Sequence, residues 1–275
     1  MLRSTRSGAI LVALVAGALA AGSAWAQEKD AADLAEQLSN PVASLISVPF
    51  QFNYDARIGP ARDGDQFYLN FQPVVPIPLD KDWILISRTI LPIVSQREIL
   101  PDVDDQSGLG DTLQSFFLSP KAPGPGGIIW GVGPALLLPT ATDRLLGDGK
   151  WAAGPTAVVL TQKSGWTVGI LANHVWSYAG ESDRVDVNST FLQPFIAYTT
   201  KDAWTYTLNT ESTYDWVADQ WSVPVNFQIT KLLKIGDQPV SIGGGVRYWA
   251  ENPTTGAHDF GARVLVTFLF PTGKK

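Results

Sequence analysis

The sequence contains no cysteine. An exported domain of this size without thiols cannot be cross-linked by disulfides, so its stability must have another source. After the first 26 residues there is also no apolar run of about 18 residues or more, which excludes a transmembrane helix in that part of the chain. Basic residues number 20 and acidic residues 26. A chain without a basic excess lacks the face that phosphate binding requires, so nucleic acid is not an expected partner.

The first 26 residues have the pattern of a secretory signal peptide. Arg3 and Arg6 form a basic start, residues 8–21 are apolar, and AWA at 24–26 fits the small-x-small cleavage pattern. The alternative is a membrane anchor, but the apolar stretch is shorter than the roughly 20 residues that a spanning helix needs. We therefore predict cleavage before Gln27, which would change the formal net charge from −6 to −8.

From residue 48 onward, apolar and polar residues alternate in twelve runs. Most runs have the length of a tilted strand that crosses a bilayer, about 9–11 residues, and exceed the roughly 5–6 residues of soluble strands. Connectors are short after runs two, six and eight and longer after runs three, five and seven, as in outer-membrane barrels. The connector KLLKIGDQP after run ten is longer than this rule expects. The runs are 48–57, 66–75, 83–94, 108–118, 128–138, 152–161, 166–177, 188–198, 204–214, 221–230, 240–250 and 259–270.

The polar row of these runs carries mainly Ser, Thr, Asn and Gln, whereas the polar face of a soluble β-sandwich tends to carry Lys and Glu. Backbone polar groups cannot be left unpaired in lipid, so such a sheet must close on itself. We predict an all-β fold, a transmembrane antiparallel up-and-down β-barrel of about 12 strands over residues 48–275. Its apolar row would face lipid and its polar row a wet lumen. An even strand count would place both termini on the periplasmic side.

Residues 27–47 differ in composition from the rest of the chain. The stretch up to Leu38 is rich in Ala, Leu and Glu and is followed by Asn40 and Pro41, which predicts a short helix that ends there. This segment would be either a plug in the bore or a loose periplasmic tail, and the sequence leaves both interpretations open.

Every tryptophan after Trp25 lies near the end of a predicted run. Tryptophan is favoured at membrane interfaces because its ring is apolar while its N–H needs a polar partner. Core tryptophans of a soluble sandwich would lie in mid-strand as often as at the ends. We therefore predict two aromatic belts. One comprises Trp83, Trp130, Trp166 and Trp204, and the other comprises Trp151, Trp176, Trp216, Trp221 and Trp249.

Seven polar side chains in the predicted runs are candidate lumen contacts for a solute. Their functional interpretation is a selectivity ring or a substrate site. The alternative is a ladder of ion pairs that braces the lumen. The seven residues are Arg57, Arg88, Asn209, Glu211, Asn226, Arg247 and Arg263.

No catalytic, cofactor or metal site is predicted. A lipase-type barrel would need a serine within hydrogen-bond reach of His174 and a third group to orient the ring, but neighbours on one strand alternate in facing and no G-x-S-x-G motif is present. The acidic stretch DVDDQSG at 102–108 does not match the spacing of an EF-hand loop. We interpret it as a solvated loop, and whether loop 95–108 shares divalent cations with lipopolysaccharide stays open.

Several motifs resemble a family of bacterial outer-membrane transporters related to the outer-membrane proteins of the phenol-degradation meta-pathway, some of whose members carry the label neuromedin-U-like. The motifs are LSNPVASLISVPFQ (38–51), GLGDT (108–112), WGVGPALLLPTATDRLLG (130–147), LNTESTYDW (208–216) and VTFLF (266–270). The resemblance extends over nearly the whole mature chain and implies an outer-membrane barrel with a transport role, without a set of catalytic residues. One departure is PTGKK after Phe270, where the assembly signal of such barrels usually ends on the aromatic residue.

These observations predict an outer-membrane channel or transporter for passive uptake or efflux of small solutes, hydrophobic or aromatic ones among them. A phospholipase-like barrel enzyme and a structural or interaction barrel with a plugged lumen are the alternatives. The expected partners are outer-membrane lipid, lipopolysaccharide, the barrel-assembly machinery and a small-molecule solute.

Overall fold

The computed structural model describes residues 31–101 and 103–271. The predicted signal peptide with its cleavage site, Asp102 of the acidic loop and most of the C-terminal PTGKK lie outside the described residues. In the described part, a helix covers residues 31–38, a single 3-10 turn covers Pro125–Gly127, and the remaining regular structure is β-strand. No helix in this part is long and apolar enough to cross a membrane.

Twelve antiparallel strands correspond one to one to the predicted runs. Three strands contain a short break, and the two pieces of each share a neighbouring strand. The strands are β1 Ile46–Ile58, β2 Gly64–Phe71 with Val74–Pro78, β3 Trp83–Arg97, β4 Gln106–Leu109 with Thr112–Pro120, β5 Ile128–Leu138, β6 Lys150–Lys163, β7 Trp166–Gly180, β8 Asn188–Thr199, β9 Trp204–Thr210 with Ser212–Asp215, β10 Gln220–Ile235, β11 Gln238–Glu251 and β12 Asp259–Phe270.

The sheet closes on itself between its first and last strands. β1 pairs with β2 on one side and with β12 on the other, in a register that runs from Ile46 opposite Phe270 to Tyr54 opposite Ala262. Every other strand pairs with the strands before and after it. Each strand therefore has two neighbours, and the backbone groups that a sheet edge would leave free in lipid are hydrogen-bonded. The predicted twelve-stranded up-and-down barrel is confirmed.

The outer wall of the barrel is apolar. Along β10, Phe227 is 44% exposed whereas its neighbour Asn226 is 1% exposed. Along β7, Val168 is exposed while Thr167 is buried. Because successive strand residues point to opposite faces, this alternation assigns the apolar row to the outside. An exposed apolar surface of this extent suits contact with lipid rather than with water.

The connector after β10 is short, although the sequence pattern predicted a longer one. KLLKI continues β10 to Ile235, and β11 begins at Gln238. Only Gly236 and Asp237 form the turn, and Gly236 has a φ of 62°, which glycine adopts without strain. The turn is therefore two residues long, like the turn between β6 and β7. The expectation of a longer connector is wrong because β10 extends further than the alternation in its sequence suggested.

Residues 31–45 lie within the bore of the barrel. Ala35 and Leu45 are buried against Leu232 of β10 and Leu269 of β12. Val42 is buried against inward-facing side chains of β3, β4, β6 and β7 on the opposite side. Contacts with both sides of the inner wall mean that this segment crosses the bore.

Ring contacts occur at both ends of the barrel among the outward-facing tryptophans. The rings of Trp83 and Trp130 lie 6.0 Å apart edge to face at one end, and those of Trp216 and Tyr214 lie 4.8 Å apart at the other. Trp249 differs, because it lies on the same inward row of β11 as Arg247 and its Nε1 donates to Asp55 Oδ1 at 3.1 Å. Its assignment to a belt is wrong, and for the remaining tryptophans the membrane belts stay a prediction.

The seam between β1 and β12 allows a direct test of closure, because the chain has no native cysteine. Phe52 and Val264 lie opposite each other across this seam, and opposed Cα atoms lie about 4.5–5.5 Å apart, within the range of a disulfide. We expect the double variant Phe52→Cys/Val264→Cys to cross-link on mild oxidation, measured as a mobility change on non-reducing gels. The matched control is Phe52→Cys/Phe260→Cys, four residues out of register. Equal cross-linking of the two variants would contradict the observed register.

Candidate functional site in the lumen

Glu211 and Arg263 form a bidentate ion pair in the inner wall. Nη1 and Nη2 of Arg263 donate to the two carboxylate oxygens of Glu211 at 2.9 and 2.8 Å. The Arg263 side chain is 2% exposed and that of Glu211 is 21% exposed. Arg263 Nε also donates to Asn53 Oδ1 at 2.8 Å. The pair and its amide neighbour therefore link β12, β1 and the break in β9.

A second ion pair joins Arg247 of β11 to Asp55 of β1. Arg247 Nη1 donates to Asp55 Oδ2 at 3.1 Å and also to the hydroxyl of Tyr68. The other carboxylate oxygen, Oδ1, accepts the indole hydrogen bond from Trp249, whose ring lies 5.0 Å from the guanidinium carbon of Arg247. Gly261 of β12 leaves room for this carboxylate, because a Cβ at that position would overlap Asp55 Oδ1.

Two asparagines extend this charged wall. Asn226 Nδ2 donates to Asn209 Oδ1 at 2.8 Å between β10 and β9, and Asn226 lies opposite Arg247 in the β10–β11 register. Both asparagines are buried. The inner wall of β9 to β12 together with β1 and β2 is therefore polar around these residues, as the alternation predicted, whereas Leu232 and Leu269 form an apolar part of it against residues 31–45.

Arg88 of β3 lies at the edge of this wall with a different kind of partner. Its Nη2 donates to Gln72 Oε1 at 3.1 Å. Within residues 31–101 and 103–271 it has no salt bridge, since Glu211 is held by Arg263 and Asp55 by Arg247. Arg88 is thus a cation whose hydrogen-bond partner is neutral.

Arg57 does not join the lumen residues. Its backbone has a φ of 57° at a bulge where the β1–β2 register shifts between Ala56 and Ile58. At this bulge the Arg57 side chain is 63% exposed and pairs with Asp259, and the next residue, Ile58, is buried instead. The prediction of a lumen position for Arg57 is therefore wrong, and the other six candidates line the inner wall.

Three contributors, Asn53, Asp55 and Tyr68, were not among the predicted site residues, and a fourth, Trp249, was predicted for an aromatic belt rather than for the lumen. Their signal was present in the sequence, because Asn53 and Asp55 continue one row of run 48–57, Tyr68 lies on the polar row of run 66–75, and Trp249 shares its row with Arg247. Strand parity would have identified all four, whereas chemical type alone did not.

The inner wall opposite the charged wall carries an apolar cluster around Val42. Phe117 is 0% exposed, and it packs with Leu171 and other inward-facing side chains around Val42. The expectation of a polar inner row is wrong at this cluster, whereas elsewhere on the same strands buried polar residues such as Ser115, Thr156 and Thr167 fit it. The cause of the error is that runs 83–94 and 128–138 are apolar on both rows, so alternation gives no facing there. The inward cluster contains Ile84, Ile86, Phe117, Val158, Leu160 and Leu171.

Two cavities lie along the bore and share Arg88 as a lining residue. The first, of about 230 Å³, lies between residues 35–45 and the polar wall. The second, of about 260 Å³, is lined by apolar side chains of β3 to β8, by polar ones and by Asp148 of the loop after β5; the polar ones are Ser115, Asn173, Ser189 and Thr213. Pockets for drug-sized ligands measure about 300–1,000 Å³. Each cavity therefore suits a smaller molecule.

The loops after β5 and β7 are tied together at the outer end of the second cavity. Arg144 donates at 2.9 Å to both Glu181 and Asp183, and Arg184 donates to the carbonyl oxygens of Gly147 and Asp148. The hydrogen bond from Arg144 lowers the pKa of the Asp183 carboxyl below its usual value. These contacts fix the position of Asp148 beside the cavity.

His174 lies on the outward row of β7, away from the lumen. Its Nδ1 lies 2.7 Å from Thr190 Oγ1, which also accepts the indole hydrogen bond of Trp216 at 2.8 Å. In the described part of the chain no serine hydroxyl is hydrogen-bonded to this ring, and no group of three His, Asp or Glu side chains is arranged to hold a metal. Asp105 of the acidic loop accepts the backbone N–H of Glu98 at 3.4 Å.

Solved structures with the same barrel fold include an outer membrane channel from Pseudomonas putida F1. It has a TM-score of 0.62 at 15% identity over 82% of this chain and 96% of that chain. The outer membrane phospholipase of Salmonella typhi, a dimer with bound calcium, has a TM-score of 0.49 at 11% identity over 82% of this chain and 90% of that chain. Identity at this level shows the fold alone, and the second TM-score is too low to bear on function. No protein-family model and no curated protein matches the chain, so the resemblance to the meta-pathway family stays a prediction.

The Glu211–Arg263 pair allows a test of how the charged wall is held. Removing one partner of a buried ion pair costs about 3–5 kcal/mol, because the other charge stays buried without compensation. We expect Glu211→Gln and Arg263→Met each to lower the free energy of unfolding by about 3 kcal/mol, measured by urea titration in lipid vesicles. The double variant should lose clearly less than the sum of the two.

The exposed Arg57→Met variant is the control and should change the unfolding free energy by about 0.5 kcal/mol or less. Additive losses in the double variant would indicate that the two side chains do not act as a pair.

Proposed function

We propose that the protein is a channel of the bacterial outer membrane that passes small solutes, hydrophobic or aromatic ones among them, by passive diffusion. The observation that carries this proposal is the bore itself, in which two cavities meet at Arg88. A bore filled only for stability would be packed without cavities of this size, because protein interiors are close-packed.

The membrane environment follows from the exposed apolar wall and the closed sheet. A barrel with this outer surface is stable where lipid covers it, and the predicted signal peptide would deliver the chain to the periplasm. Outer-membrane lipid, lipopolysaccharide and the barrel-assembly machinery are the partners that this location implies.

Residues 31–45 act in this proposal as a plug that controls passage. The segment is held by the burial of Val42 among apolar side chains, by the burial of Ala35 and Leu45, and by a hydrogen bond of 2.7 Å from Gln162 Nε2 to the carbonyl oxygen of Glu36. A solute that crosses the bore must displace this segment or pass beside it.

A structural barrel with a permanently plugged lumen is the second candidate, since the same packing of residues 31–45 favours it. The two proposals differ in one consequence. A channel must open on some timescale, whereas a structural barrel has no conducting state.

Replacement of Val42 by aspartate distinguishes these proposals in the full mature chain. Burial of a carboxylate in an apolar cluster is costly, so the variant should release the segment. We expect Val42→Asp to raise the open probability in planar bilayers at least tenfold over the parent, while Val42→Ile, which keeps the apolar contact, behaves like the parent. Absence of conductance in all three proteins would overturn the channel and favour the structural barrel.

A further inference from the structure

Among the charged residues that the strands of the lumen wall contribute, three arginines (Arg88, Arg247 and Arg263) face two carboxylates (Asp55 and Glu211). Both oxygens of Glu211 are bound by Arg263, and both oxygens of Asp55 are used by Arg247 and Trp249. Arg88 is the third guanidinium of this wall and has only the amide oxygen of Gln72 as a hydrogen-bond partner among the described side chains.

An arginine in this state retains hydrogen-bond donors that nothing in the wall uses. A guanidinium has five N–H donors in a planar fork that matches a carboxylate in a bidentate way. If Arg88 served only to brace the wall, an acidic partner would be expected, as Arg247 and Arg263 each have. Glu211 is near enough for its charge to act on Arg88, but both of its oxygens are bound by Arg263. The neutral amide partner therefore leaves the fork of Arg88 available to an anion from outside the protein.

Arg88 also lies at a defined place in the bore, between the two cavities. It lines both cavities, so a solute that passes from one to the other passes this side chain. On the outer side it adjoins apolar surface, because Ile90, Leu113, Leu171 and Phe191 line the second cavity with it. This cavity therefore combines a guanidinium with apolar side chains, while Ser115, Asn173, Ser189 and Thr213 add neutral polar groups to its lining.

Asp148 lines the same cavity from the loop between β5 and β6. A carboxylate there opposes a second negative charge on a bound molecule while leaving an apolar end undisturbed. The cavity is thus built for one anionic group rather than two.

From these observations we infer that Arg88 is a carboxylate-binding site in the bore and that the preferred solutes are amphiphilic monocarboxylates with a one-ring or short-chain apolar body. The carboxylate binds the guanidinium of Arg88, and the apolar body packs against the inward side chains of β3, β4, β7 and β8. This inference deepens the proposed channel function and rests on it for transport, whereas binding at Arg88 can be measured independently.

The test uses 3-phenylpropionate and its uncharged analogue 3-phenylpropanol as probes. Binding to the full mature chain in nanodiscs of zwitterionic lipid is measured by equilibrium dialysis, with empty nanodiscs as the blank for partitioning. Flux of both probes is measured in proteoliposomes. Arg88→Gln removes the charge, Arg88→Lys retains it, and Arg57→Gln is a matched control because that arginine lies outside the lumen. Retention of heat-modifiable gel mobility verifies that each variant is folded.

We expect the parent chain to bind 3-phenylpropionate at least tenfold more tightly than 3-phenylpropanol. Arg88→Gln should abolish this preference, Arg88→Lys should retain most of it, and Arg57→Gln should leave it unchanged. A dicarboxylate of similar size, phenylsuccinate, should bind more weakly than 3-phenylpropionate. Equal binding of acid and alcohol in the parent, or an undiminished preference in folded Arg88→Gln, would overturn the inference.

The two proposals fail in distinguishable ways. If both probes pass through the parent but Arg88→Gln changes neither binding nor flux, the carboxylate site is wrong and the channel stands. If neither probe passes through the parent or Val42→Asp while binding still depends on Arg88, the channel is wrong and the binding site stands.

Discussion

A backbone within a lipid bilayer has no water to satisfy its N–H and C=O groups, and the whole structure depends on this constraint. The chain meets it by pairing β1 with β12, so that no strand edge remains. Closure in turn separates two environments, an apolar exterior and an enclosed bore. Without cysteine, the chain relies for its stability on this continuous hydrogen-bonded ladder and on the packing inside it.

Within the closed sheet, the bore is chemically divided. The strands from β9 round to β2 present two ion pairs and their amide neighbours, whereas the opposite side presents an apolar cluster around Val42 among neutral polar side chains. Residues 31–45 contact both sides, Val42 in the apolar cluster and Leu45 on the wall of β10 and β12. Arg88 lies where the two sides meet. The amphiphilic monocarboxylates that we propose as solutes have the same division, with one charged end and an apolar body.

The strand pattern was largely predictable from sequence, because period-two alternation with a polar row of Ser, Thr, Asn and Gln reports both strand and facing. The inward or outward direction of side chains could not be predicted where both rows are apolar, as in β3 and β5. Burial against residues 31–45 is a tertiary contact and leaves no local signal in the sequence. The prediction for Arg57 was wrong because a single bulge shifts the alternation of facing by one residue, and the sequence does not show where a bulge lies. The prediction for Trp249 was wrong for another reason. The sequence shows that Trp249 and Arg247 share one face of the strand, but the preference of tryptophan for membrane interfaces was given more weight.

The most direct measurement of the central claim is an accessibility scan along β10 in lipid vesicles, with nitroxide-labelled single cysteines from Asn226 to Thr230. Collision rates with oxygen, which concentrates in lipid, and with a water-soluble nickel complex are compared at each position. A closed barrel with lipid outside predicts a period of two, with high oxygen accessibility at Phe227 and Ile229 and low oxygen accessibility at Asn226, Gln228 and Thr230. Uniform accessibility along the strand, or access of the nickel complex to Phe227 and Ile229, would contradict it.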